Sequence, residues 1–121
     1  MSLEQKINNL ETDLHIMGTL VLDSLVSAVR ALEDKDTAKA SEVMDKDDEI
    51  DDAYMKIDQD WFELMATEQP VASDLRLSTS ILQASLHLER LGDLSVYLGK
   101  TTHEIHDLPI PESLHKIVVE M

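Results

Sequence analysis

Two short segments place carboxylates one helical turn apart: Asp47-x-x-x-Asp51 within DKDDEIDD, and Glu89-x-x-x-Asp93 within LERLGDL. Like charges at i and i+4 are neighbours on a helix and repel, at a cost of roughly 0.2–0.5 kcal/mol even in water. The second pair is the more unusual, because Leu, Ile, Ala and Val surround it and Gly92 stands between its acids. If the two segments lie on antiparallel helices joined by a short turn near Pro70, Asp47 faces Asp93 and Asp51 faces Glu89. Four carboxylates at one level of a partly apolar groove cannot all stay ionised without compensation. One compensation is a cation, and carboxylate oxygens suit hard or borderline metals. A second is pairing with Arg90, Lys46 or Lys56, and a third is simple solvation of both pairs. A lone D/E-x-x-x-D is common in helices; two in antiparallel register carry more weight. The neighbouring Asp45, Asp48 and Asp52 read as a solvated face.

Little else in the chain suggests chemistry. There is no cysteine, which excludes disulfides and thiolate metal sites and fits a reducing cytoplasm. Of the five histidines, His87 reads as a packed side chain on an apolar helix. His103 and His106 fall near a helix end, where a cationic side chain suits the dipole. Glu112-x-x-His115 has the i,i+3 spacing of di-iron bundle ligands. It occurs once, beyond Pro109 and Pro111, so a ferritin-like oxidase or storage site is the weaker alternative. A plain helical dimerisation module is another. No activated nucleophile or glycine-rich phosphate loop is recognisable. Trp61, Met17, Met44, Met55 and Met65 read as core filling.

The elements that must position the acids are helices. The chain of 121 residues is one domain's worth and 43% hydrophobic, with only three Gly and three Pro. Its 25 acids against 10 bases give a net charge of -15, which repels nucleic acid and anionic lipid and suits cations or basic protein surfaces. No apolar run is expected to reach the roughly 20 residues of a membrane span, and no signal-peptide pattern leads the sequence. Leu3, Ile7, Leu10, Leu14, Met17 and Val21 form a heptad-like stripe that then slips to Leu25, Val29 and Leu32, predicting a helix over 4–33. Asp36 or Thr37 can cap the next helix. Val43, Asp47, Ile50, Tyr54, Ile57, Trp61 and Leu64 predict that second helix over 37–67, with Asp47 on a seam position meant for a core residue. Pro70 breaks the chain. A third helix over 71–105 is apolar on more than half its circumference, which predicts burial on several sides. Its small residues Ser78, Ser85, Gly92, Ser95 and Gly99 allow close approach. The expected fold is all-α, an antiparallel up-down three-helix bundle over 1–108. Residues 109–121, with Leu114, Ile117 and Val118, start a further helix.

The stretch from DDEIDDAYMKIDQDWFELMATEQPVASDLR to LHLERLGDLSVYLGK resembles the PhoU family of phosphate-signalling regulators. The resemblance is most specific at DDEID (47–51), QPVASDLR (69–76) and LERLGD (88–93), and covers most of 1–108. It implies a fold of tandem three-helix bundles, of which this chain holds one repeat, with its parent continuing past Met121. It implies metal ligation by Asp47, Asp51, Glu89 and Asp93, with iron, zinc, manganese or magnesium as candidate ions. Arg90 is implied as a supporting partner of that site, and Asp74 with Arg76 as a fixed inter-helix corner. The chain departs from the family in having Leu94 after the second motif, and Tyr97-Leu98-Gly99 further on. The function implied is non-enzymatic and cytoplasmic. It is negative regulation of phosphate uptake and starvation signalling, coupling the ATPase subunit of a phosphate ABC transporter to a sensor histidine kinase. A homodimer is expected from the wide apolar third helix.

Overall fold

The computed structural model describes residues 1–109 and Glu120, and the described residues form helices and connecting turns, with no strand among them. Four helices follow in order: α1 (Leu3–Asp34), α2 (Thr37–Asp45), α3 (Asp47–Glu68) and α4 (Ala72–Ile105). Helices α2 and α3 together occupy the range expected for one second helix, interrupted only at Lys46. The bundle is therefore three-legged as expected. The expected further helix and Glu112-x-x-His115 fall, Glu120 apart, outside the described residues.

Local chemistry sets the ends. Ser2 and Gln5 form a reciprocal capping box at the start of α1. Lys35 ends that helix in the left-handed conformation. Asp36 then caps α2 by accepting from the Lys39 N–H at 3.0 Å. Gln69, also left-handed, ends α3, and the buried Pro70 carries the chain to Val71, the extended cap of α4. At Lys46 no side chain caps α3, but Asp47, Asp48 and Glu49 place three negative charges on its N-terminal dipole. Aspartate is a poor interior helix former, so a break just before this run follows from its composition.

Cross-links fix the directions. Lys6 pairs with Glu68 at 2.7 Å and Lys56 with Asp13 at 2.6 Å, so α3 runs antiparallel to α1. Ser41 meets His103 at 3.0 Å and Met44 lies against Gly99, so α2 runs antiparallel to α4. Lys35 Nζ donates to the Leu108 carbonyl and ties the end of α1 to the end of α4, which run parallel.

All three legs keep a strict heptad. On α1 the buried seam is Ile7, Leu10, Met17, Val21, Ser24, Ala28 and Ala31. It does not slip to Leu25, Val29 and Leu32 as expected; small residues hold the register, and the leucines flank it. Val43, Ile50, Ile57 and Leu64 continue one seam through the Lys46 break. On α4 the seam is Ser78, Ile81, Ser85, Leu88, Gly92, Ser95, Gly99 and Thr102, with all but Leu88 fully buried. A sustained 3.5-residue repeat gives the shallow left-handed packing of helical bundles. The buried hydroxyls need no partner helix: Ser78, Ser85, Ser95 and Thr102 each donate to a carbonyl one turn back in α4.

Four expectations are corrected here. Helix α4 touches every other helix, but it buries its small residues, while Leu75, Leu77, Leu86, Leu91, Leu94 and Tyr97 stay substantially exposed. His87 is exposed rather than packed, and so is Met55. Helix α1 is, by length and composition, apolar enough to cross a membrane, with an 18-residue window of mean hydropathy 1.3. Here its seam instead supplies the bundle core, including Met17 and Ala28 at full burial.

Candidate functional site

The break at Lys46 makes Asp47 the first residue of α3, on the seam facing α4. An aspartate there needs room, and Gly92 supplies it. An ideal Cβ on Gly92 would lie 3.1 Å from Ile50 Cγ2 and 3.7 Å from Asp47 Oδ1. The glycine between the two acids of α4 therefore lets the start of α3 press against the helix at the level of the carboxylates. Asp51 follows one turn on, and Glu89 and Asp93 flank Gly92 on α4.

These four acids feel one another. Glu89 is pushed up to about 8, first by burial, then by the close approach of the Asp51 carboxyl, then by the charges of Asp51, Asp93 and Asp47. A carboxyl raised this far keeps its proton through neutral pH, which removes one of the four charges. Asp47 is also raised above the usual carboxylate range, by burial first and then by Asp51, Asp93 and Asp48. Asp47 Oδ1 and Glu89 Oε2 are buried without a hydrogen-bond partner among the described residues.

The basic residues near the site do not neutralise it. Lys56 holds Asp13 and Asp60, at 2.6 and 3.0 Å, on another side of α3. Arg90 is exposed, and neither it nor Lys46 makes an ion pair among the described residues. Asp74 lies in the first turn of α4 beside a crevice lined by Ser2, Leu3 and Leu77, and Arg76 is exposed two residues on. Among the described residues, neither side chain is hydrogen-bonded into a corner. Among the described residues no ion pair neutralises the four acids; Asp93 is exposed to solvent, whereas one oxygen each of Asp47 and Glu89 is buried away from it. The donor set fits a hard cation: oxygen ligands only, a surplus of negative charge, and acceptors with nothing to accept from. Among the described residues, however, no three acidic or histidine side chains already converge as a ligand cage. The arrangement is a group of mutually repelling carboxylates on facing helices, short of a closed cage.

The PhoU domain family model matches residues 14–102, a span that contains all four acids and Gly92. This chain belongs to the PhoU family. The phosphate-specific transport system accessory protein PhoU of Serratia marcescens is 32% identical, aligned over 96% of this chain and 50% of its own length. The PhoU homolog of Pseudomonas aeruginosa is 39% identical over 73% of this chain and 36% of its own. PhoU homolog 1 of Thermotoga maritima is 35% identical over 80% and 42% respectively. The chain thus spans about half the length, or less, of these curated relatives. No solved structure matches it. These relatives are named as accessory proteins of the phosphate-specific transport system.

Proposed function

We propose that this chain is a metal-binding, non-catalytic, cytoplasmic regulator that restrains phosphate uptake and phosphate-starvation signalling. In this reading it couples a phosphate ABC transporter, through its ATPase subunit, to a sensor histidine kinase, and works as a homodimer. Family membership supports the phosphate part. The observation that carries the metal part is the pair of buried, unpartnered oxygens, Asp47 Oδ1 and Glu89 Oε2, on facing helices. Asp47 and Asp51 from α3, with Glu89 and Asp93 from α4, would hold the ion. Bound there, a cation would neutralise the group and tie α3 to α4, coupling metal occupancy to bundle geometry. The chain's own part is to hold the acids in register through the heptad seams, and to admit Asp47 beside Gly92.

The test pairs metal content with regulation. Purified protein is expected to retain iron, zinc, manganese or magnesium by elemental analysis, and Glu89→Ala/Asp93→Ala to lose it. In a bacterium lacking its own PhoU and grown in ample phosphate, wild type should repress an alkaline-phosphatase reporter and the double variant should not. Equal metal in both proteins would overturn the metal assignment. Absence of repression by soluble wild-type protein would overturn the regulatory one.

A further inference from the structure

Helix α3 carries a second heptad on its outer side. Asp48, Asp52, Met55, Gln59, Phe62 and Ala66 follow one another at spacings of 4, 3, 4, 3 and 4, and all six are exposed. Met55 is 64% exposed and Phe62 68% exposed. Two large apolar side chains seven residues apart lie on one line, about 10 Å from each other along the axis. The stripe is divided: its first half is acidic, its second half apolar. Nothing basic breaks it, since α3 has nine acids and one base across its 22 residues, and that base, Lys56, is engaged elsewhere.

A seam with 3.5-residue spacing is what another helix packs on. We infer that this stripe docks an amphipathic helix of a protein partner, one that is cationic at the end facing Asp48 and Asp52 and apolar where it meets Met55 and Phe62. Charge complementarity selects this occupant. A second copy packed parallel would set Asp48 and Asp52 against themselves. Packed antiparallel, it would set them against apolar residues. The aromatic anchor fixes the register and the acids steer the approach. None of the six residues is one of the four acids of the candidate site, although the charge of Asp48 acts on Asp47; Met55, Gln59 and Phe62 lie clear of that site.

The probes are three labelled, helix-stabilised peptides with identical apolar content: one with lysines at one end and the apolar residues at the other, one with glutamates in place of the lysines, and one lysine peptide with its order scrambled. Anisotropy titrations should show binding of the first alone, weakening as salt rises from about 50 to about 500 mM. Phe62→Ser should weaken that binding about tenfold, and Asp48→Asn/Asp52→Asn should remove most of its salt dependence. Gln59→Lys, a surface change that leaves the core untouched, should abolish binding of the lysine peptide; circular dichroism checks the fold of each variant. Equal binding of the ordered and scrambled peptides would overturn the inference. So would indifference to Phe62→Ser, or self-association of the chain that Phe62→Ser dissolves, since a second copy would then be the occupant.

Discussion

At the scale of single residues, Glu89 decides how the bundle answers to pH. Its folded-state value of about 8 lies above its ordinary 4.5. The stability tied to its protonated form is therefore fully present below about 4.5 and lost as pH climbs through about 8. Asp47 is shifted in the same direction and adds to the same trend. Chelator-treated protein should lose stability steadily between about pH 5 and 8 in urea unfolding. Glu89→Gln keeps the hydrogen-bonding shape without the charge. It should flatten that slope and gain on the order of 1–2 kcal/mol at the alkaline end. A flat wild-type profile would show that the four acids do not share one site. At about pH 8 a bound cation should raise the melting temperature of wild type and leave Glu89→Ala/Asp93→Ala unmoved.

At the scale of elements, small residues set how closely the legs approach. An added Cβ at Gly99 would meet the backbone carbonyl of Ala40 at 3.2 Å and Met44 Cγ at 3.1 Å. The methionine can turn aside, but the carbonyl belongs to α2 and cannot move alone. Gly99→Val should therefore push α2 from α4 and cost about 1–3 kcal/mol, read as a lower urea midpoint with an unchanged slope. Gly92 poses a different conflict, against the fully buried Ile50 and the carboxylate of Asp47. Gly92→Ala should disturb metal retention more than Gly99→Val does, because it moves the first turn of α3. Elemental analysis of the two variants side by side separates these effects.

At the scale of the whole molecule, two of the faces that expose large apolar side chains stand out. One is the stripe on α3; the other is the leucine-rich side of α4. Leu75, Leu86 and Tyr97 repeat every eleven residues there, which brings them nearly into line along a straight helix. Self-association through this side is expected. Sedimentation velocity should show a mass that rises with concentration in wild type and stays monomeric in Leu86→Glu. A wild-type monomer at high concentration would contradict this.

Much of the fold was legible because helical bundles write their core as a 3.5-residue repeat. Val43, Asp47, Ile50, Tyr54, Ile57, Trp61 and Leu64 marked one leg, and Asp47 stood out on it because a charge on a seam is costly. A short turn at Pro70 then determined which acid faces which, since an antiparallel pair has little freedom of register. Tertiary structure decided what volume and burial decide. A sequence pattern weights large apolar residues, so Leu25, Val29 and Leu32 on α1 and the leucines of α4 read as core. Packing preferred Ser24, Ala28, Ala31, Gly92 and Gly99, because three legs approach closely only where side chains are small. Likewise, which lysine answers which aspartate is not written in spacing. Lys56 could reach several acids, and the folded chain commits it to Asp13 and Asp60, leaving Glu89 and Asp47 with buried oxygens and no partner.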